Sequence, residues 1–198
     1  MPPYDYTDAP PPPEIKLIPP TIVTLVLHID AGGVGEDGML TRSQDGGCEM
    51  LVCEITVADG DHKGRKFWER WVMEGTTDGH AVAIGINRRT IKAILDSAFN
   101  LMPDDKSDKA REARNRSYKQ LEGLTFIGKI GIEKGGPIQN RPGEFYSDKN
   151  ILAAVITPDK KDWHPVEQPP PFNGGGSGAQ AAAPSSAAPP IARPGWAS

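Results

Sequence analysis

Cysteine is scarce in this chain of 198 residues, which contains only Cys48 and Cys53. A small secreted scaffold held together by disulfides needs several cysteine pairs, so this scarcity excludes that class and favours a reducing compartment. The two cysteines are five residues apart, and in a strand such residues point to opposite faces. The spacing therefore predicts two structural thiols, and neither a disulfide between them nor a shared zinc ion.

Long apolar runs are also missing. The longest, residues 22–29, contains Thr24 and His28, and it is far shorter than the roughly 20 residues that a membrane-spanning helix needs. The first residues, MPPYDYTDAPPPPE, contain neither the basic nor the apolar region of a signal peptide. These absences predict a soluble, cytoplasmic protein with no membrane partner.

Neither sign of charge is in large excess. The chain has 22 Lys and Arg against 26 Asp and Glu, a formal net charge of −4. The bulk charge therefore does not indicate a polyanion as partner, and a nucleic-acid site would have to be a local patch.

Proline is rare in the middle of the chain: eight prolines lie in residues 1–20, eight in 165–198, and only four between. The outer segments hold few apolar residues that could form a core. This distribution predicts a disordered N-terminal segment (1–20), one folded domain (21–164) and a disordered Ala/Pro/Gly-rich tail (165–198).

Motifs of catalysis are absent from the sequence: it has no H-E-x-x-H, C-x-x-C, G-x-S-x-G or phosphate-loop pattern. Residues 33–38 read GVGEDG, but no helical pattern follows and their two carboxylates would repel phosphate, which favours a loop over a dinucleotide site. Asp104, Asp105 and Asp108 beside Lys106 fit a solvated turn better than the metal site of a nuclease. We therefore expect no enzyme activity, no metal and no cofactor.

The order of predicted elements indicates a mainly β protein. Strands are predicted at residues 21–30, 49–60 and 65–75, then a helix, then strands at 124–135 and 150–159. The turn ADGDHKG predicts that the second and third strands form a hairpin. Three strands, a helix and two strands is the order of a five-stranded OB-type barrel, with its helix between strands three and four.

The helix is predicted over residues 87–101, because its apolar residues recur with helical spacing: Ile91, Ile94, Leu95 and Ala98. Pro103 ends it. Residues 104–120 are charged and lack apolar periodicity, which is typical of a solvated helix or a mobile excursion.

The third strand, RKFWERWVM at residues 65–73, separates its side chains by alternation. One face should pack inward and carries Phe67, Trp71 and Met73. The other carries Lys66, Trp68 and Arg70. Cations neutralise phosphates and an exposed aromatic ring lets bases stack, so this face predicts single-stranded nucleic-acid binding. In the alternative, the tryptophan lies under the helix or a loop and the cations extend outward past it.

Further residues are expected to join the same patch: Lys129, Lys134, Tyr146 and Lys149, with Arg141 and Phe145 beside them. Residues 106–120 add six basic and two acidic residues. Such a run is either a solvated face or one side of a bipolar surface that binds a nucleic-acid strand.

Four segments carry a resemblance to a known family: GRKFW (64–68), INRRTIKAILDSAFNLMP, LEGLTFIGKIGIEKG and YSDKNILAAVITPD. Together, over residues 21–160, they resemble bacteriophage and prophage single-stranded-DNA-binding proteins of the OB-fold type, including a domain-of-unknown-function family encoded near recombination genes. The resemblance implies a non-catalytic protein of the bacterial cytoplasm that coats single-stranded DNA in phage replication or recombination. Its matching positions are Lys66, Trp68, Arg70 and Lys129. The chain departs from many single-strand binders in ending ARPGWAS rather than in an acidic tip that recruits partner enzymes.

The leading hypothesis is therefore largely sequence-independent binding of single-stranded DNA. Replication or recombination proteins are further expected partners, and the choice between DNA and RNA and homo-oligomerisation stay open. The alternative is a protein-interaction adaptor on the same barrel that acts through its proline-rich ends, with Trp196 as an anchor.

Overall fold

One antiparallel sheet forms the framework of residues 16–138, 141 and 143–168, which the computed structural model describes. Within these residues its six strands are β1 (Thr21–Asp30), β2 (Thr41–Arg42), β3 (Cys48–Val57), β4 (Lys66–Gly75), β5 (Thr125–Glu133) and β6 (Lys149–Val155). The helices are α1 (Asp78–Ala98) and α2 (Asp108–Arg114), followed by a 3-10 turn, Tyr118–Leu121. The mainly β class and the helix between the hairpin and the last two strands are confirmed, and the two-residue β2 is an addition.

The strand β1 lies in the middle of the sheet, as its apolar residues on both faces predicted. Its second half pairs with β3 and its first half with β5, so Leu25 has Val57 on one side and Phe126 on the other. The inner side chains of these strands are fully buried and form the core together with the inner faces of β4 and α1.

The hairpin of β3 and β4 is confirmed, with Ile55 opposite Phe67 and Leu51 opposite Trp71. Its turn contains Gly64 at φ 82°, the left-handed region that favours glycine. All four of the paired residues named here are buried, so the inward face of β4 is the one that the alternation predicted.

The sheet of the described residues does not close into a barrel through backbone pairing. Its edge strands β4 and β6 run in the same direction and approach each other, but they share no ladder there. Instead the backbone N–H of Leu152 donates to Oε1 of Glu69 at 2.7 Å. The predicted five-stranded barrel is thus found as a sheet that does not close, and a side chain occupies the Leu152 N–H at the β4–β6 seam.

The chain before β1 packs across the start of this seam between β4 and β6. Ile18 is fully buried, and Asn150 pairs with its backbone by accepting from the Ile18 N–H at 2.9 Å and donating to its carbonyl at 2.7 Å. Arg65 donates to the carbonyl of Lys16. The packed core therefore begins within the segment that composition assigned to the disordered N-terminus.

The helix α1 begins at Asp78, nine residues before the predicted start, and ends at Ala98 instead of residue 101. The side chain of Thr77 accepts a hydrogen bond from the backbone of His80 and caps it. Val82 and Ile86 in its first half are exposed, so the core-facing periodicity covers only the second half. That is why the apolar pattern placed the start too late.

The charged segment after α1 is held in place by a buried ion pair. Asp96 is 1 % exposed, and its two oxygens accept from Lys92 Nζ and Arg114 Nε, each at 2.6 Å. Arg114 also donates to the carbonyl of Met102 at 2.9 Å. Of the two expectations for this segment, the helix is found, but it is docked on α1 and not solvated on all sides.

The glycine-rich segment 33–38 is a loop, as predicted. The N–H of Gly33 bonds to the carbonyl of Gly38 at 2.8 Å, and Val34 forms a bridge with Leu40. The element that follows is β2 and not a helix, so the loop lacks the helix N-terminus that a dinucleotide phosphate needs.

Both cysteines lie on β3 as free thiols, and burial raises the pKa of the Cys53 thiol. In the part of the chain that the structure describes, no helix has the length and apolar character to cross a membrane.

A pH dependence follows from Glu69. Burial is the main reason that the pKa of its carboxyl lies above the ordinary value, although the Leu152 N–H acts in the opposite direction. As pH rises from the unfolded pKa, about 4.3, through the raised folded pKa, the folded state retains a proton that the unfolded state has lost. The free energy of unfolding therefore falls over that interval.

Glu69→Gln keeps an oxygen that can accept from Leu152 but removes the titration. We expect the variant to gain stability relative to the natural protein as pH rises from 4.5 to 7.5, measured by urea denaturation of both at each pH. Glu112→Gln, an exposed substitution on α2, is the control. A stability difference that stays constant with pH would contradict this role of Glu69.

Candidate nucleic-acid interface

The outer face of β4 presents the three residues that alternation predicted, Lys66, Trp68 and Arg70, all exposed. Trp68 is 57 % exposed, so the alternative in which it lies under the helix or a loop is wrong. A tryptophan in the middle of a strand that keeps more than half its surface in water gives up much of the hydrophobic stabilisation that burial would provide.

The neighbouring strand β3 sets the chemistry around this tryptophan. In the ladder, Glu54 lies directly opposite Trp68, while Thr56 faces Lys66 and Val52 faces Arg70. The Lys66 ammonium contacts Glu54 Oε1 at 2.7 Å. The ring of Trp68 is therefore bordered by a carboxylate on one side as well as by cations along its own strand.

The same row continues onto β1. His28 lies opposite Glu54, and its Nδ1 is 2.9 Å from Oε1 of Glu122. The other oxygen of Glu122 accepts from the N–H of Ile29 at 2.6 Å, beyond the part of β1 that pairs with β5. We call Lys66, Trp68, Arg70, Glu54 and His28 the outer face.

The cations near the outer face differ in how they are neutralised. Three lysines form salt bridges: Lys66 with Glu54, Lys134 with Asp148 at 2.6 Å, and Lys149 with Glu133 at 2.8 Å. Arg70 forms no salt bridge with any described residue. The surface is thus mixed in charge, and Arg70 is the cation most available to a phosphate.

The loop between β5 and β6 contributes exposed aromatic rings, Phe145 and Tyr146. An open depression of about 340 Å³ beside it is lined by Tyr146 and by Lys134 and Lys149. The Lys134 ammonium and the N–H of Gly135 hold the pKa of Asp148 below its usual range. These contacts join the first residues of the loop to its last.

The start of β6 brings part of this loop region close to β4. The hydrogen bond to Glu133 is the main reason that the pKa of Lys149 lies above its ordinary value, and the nearby guanidinium of Arg70 acts in the opposite direction. The charges of Lys149 and Arg70 therefore influence each other across the seam.

Lys129, by contrast, lies apart from the outer face. It is exposed on β5, where it pairs with Ile22 of β1, whereas the row of Trp68 meets β1 at His28. Those two β1 positions are six residues apart, roughly 20 Å along a strand. A single base stacked on Trp68 cannot have its phosphate at Lys129.

The basic run 106–120 is divided between α2, which contacts α1, and the 3-10 turn, which contacts β1. Arg114 is bound to Asp96, Arg116 lies over the ring of Phe99 at 5.3 Å from its centroid, and Arg111 pairs with Asp108. Arg114 and Arg116 therefore take part in local packing, whereas the pair of Arg111 with Asp108 is exposed.

Glu54, His28 and Glu122 are residues of this site that sequence reasoning missed. The signal for Glu54 was present, because a hairpin with the predicted turn fixes which residues of its strands stand opposite each other. His28 and Glu122 are 94 positions apart, and no local pattern links them.

No group of three or more His, Cys, Asp or Glu side chains among residues 16–138, 141 and 143–168 is placed to hold a metal ion. Comparison of the chain with protein-family models, with curated proteins and with solved structures finds no match.

Proposed function

We propose that this protein binds single-stranded DNA without catalysis, through the outer face and the adjoining loop between β5 and β6. The observation that carries the proposal is Trp68, exposed in the middle of the edge strand β4 between Lys66 and Arg70. A solvated ring offers every base a stacking surface, and flanking cations offer the backbone its counter-charge.

We also propose that the open sheet is an OB-type barrel whose last seam is bridged by side chains. The strand order β4–β3–β1–β5–β6 and the helix inserted before β5 support this, since OB barrels are partly open and bind oligonucleotides on the face of their second and third strands. Those strands correspond to β3 and β4 here. The phage replication or recombination setting and the bacterial cytoplasm belong to the same proposal, and RNA is the alternative ligand.

The direct test is a titration of fluorescently labelled oligo-dT with the full chain at two salt concentrations. Neutralising two to three phosphates on a single strand predicts about a tenfold loss of affinity between about 50 and 200 mM salt. Duplex DNA of the same length is the control, and we expect it to bind more weakly because its bases cannot reach Trp68. Absence of oligo-dT binding at low salt, or equal affinity for duplex, would refute the proposal.

The alternative of a protein-interaction adaptor depends on the proline-rich ends and on Trp196, which lie mostly or wholly outside the described residues. It predicts that partners are lost when residues 169–198 are removed, whereas oligo-dT binding through the outer face would survive that truncation.

A further inference from the structure

Glu54 occupies an unexpected place for a surface that binds only a phosphate backbone. It stands directly opposite Trp68 in the β3–β4 ladder, where the Cβ atoms of such pairs are about 5 Å apart. A base stacked on the indole would extend its edge over this carboxylate. Because like charges repel, a carboxylate here weakens phosphate binding, and it also engages Lys66, one of the two cations beside the ring.

The Glu54 carboxylate can nevertheless accept a further hydrogen bond. Its Oε1 receives the Lys66 ammonium at 2.7 Å, and the side chain is 21 % exposed. Its Oε2 has no hydrogen-bond partner among the described residues. The other acid of this row, Glu122, uses both oxygens, one on His28 and one on the N–H of Ile29. Glu54 is therefore the acceptor beside Trp68 that a ligand can use.

Bases differ in what they offer to such an acceptor. Cytosine and adenine carry an exocyclic amino group, and guanine presents two adjacent N–H groups that suit a carboxylate. Thymine and uracil have one ring N–H, flanked by two carbonyl oxygens that repel a carboxylate. We infer that Glu54 gives the outer face a preference for amino-bearing bases over thymine. This inference rests on the proposed function and refines its largely sequence-independent binding.

The test compares two strands and three proteins at one low salt concentration. Labelled dC12 and dT12 are titrated with the natural full chain, with Glu54→Gln and with Glu112→Gln, which makes the same charge change at an exposed site on α2. The measured quantity is the ratio of the two dissociation constants, dT12 over dC12. The ratio measured with Glu54→Gln is the reference, because it contains the effect of the different flexibility of dC12 and dT12.

We expect the ratio to be at least about fivefold higher in the natural protein than in Glu54→Gln. A factor of about five is the lower end of the discrimination that one good base contact provides. Glu112→Gln should keep the natural ratio. Affinity for dT12 should also rise in Glu54→Gln, because Lys66 becomes free for phosphate. Equal melting temperatures of the two variants would show that Glu54→Gln folds normally.

Other outcomes overturn the inference in distinguishable ways. If the ratio is the same in the natural protein and Glu54→Gln while both bind, Glu54 only restrains Lys66, and the proposed function stands without the preference. If the natural protein binds neither strand, the proposed function and the preference fail together.

Discussion

Replacing Trp68 with alanine is expected to weaken the binding of oligo-dT by about 1–3 kcal/mol, the usual contribution of one stacked base. The ring is exposed and has cations on either side along β4, so its removal takes away stacking surface without opening the core. The free energy of unfolding should fall by about 1–2 kcal/mol, because less than half of the side chain's surface is buried. Anisotropy titration and urea denaturation of the same preparation measure both quantities.

The matched control lies three residues further along the same strand. Trp71 is 5 % exposed and faces the core, so Trp71→Ala should cost about 3–5 kcal/mol of stability through the cavity it leaves. Trp68→Phe should retain part of the affinity. If Trp68→Ala binds as tightly as the natural protein, stacking on this ring is not the mechanism.

Asp96→Ala is expected to destabilise the protein by about 3–5 kcal/mol, the range for removing one partner of a buried ion pair. The loss comes chiefly from Arg114, which is only 17 % exposed and would keep its charge without a carboxylate. Lys92 is 43 % exposed, so water compensates it and its share is small. Since Arg114 joins α2 to the end of α1, the segment from residue 102 to 116 should also become sensitive to protease.

Asp108→Ala tests the same type of substitution at a fully exposed pair with Arg111, and we expect no measurable change in urea denaturation there. Equal stability of the Asp96→Ala and Asp108→Ala proteins would mean that the Asp96 cluster does not anchor residues 102–116. Oligo-dT affinity of any folded Asp96→Ala protein should be unchanged, because this cluster lies away from the outer face.

The mixed charge of the outer face bears on how binding responds to salt. Lys66, Lys134 and Lys149 must exchange a carboxylate for a phosphate, so each contributes less than an unpaired cation. Arg70 has no salt bridge with any described residue that would have to be broken first. Binding through this surface should therefore depend more on stacking than on the number of its lysines.

Several features could be predicted because they depend on residues close together in the chain. Alternation along 65–73 separated the two faces of β4, since successive side chains of a strand point to opposite sides. The apolar character of residues 21–30 on both faces placed β1 in the middle of the sheet. The hairpin followed from its turn, and the loop at 33–38 from the absence of a helical pattern behind it.

Other features depend on residues far apart in the chain. The start of α1 was missed because no residue of the helix before Ile94 is buried, so the apolar periodicity on which the prediction relied exists only in the half that enters the core. Asp96 and Arg114 meet across 18 positions, and nothing in a charged sequence indicates that one of its carboxylates is buried.

The sequence by itself thus determined which side chains share a strand face, because that depends only on the two-residue period of a strand. The tertiary structure alone decided that Trp68 is uncovered, that His28 continues its row beyond Glu54, and that Lys129 lies elsewhere. Those outcomes depend on which strands become neighbours and on what packs over them. It also decided that Glu69 bridges the seam between β4 and β6, because Glu69 and Leu152 are 83 positions apart and meet only where these two edge strands approach each other.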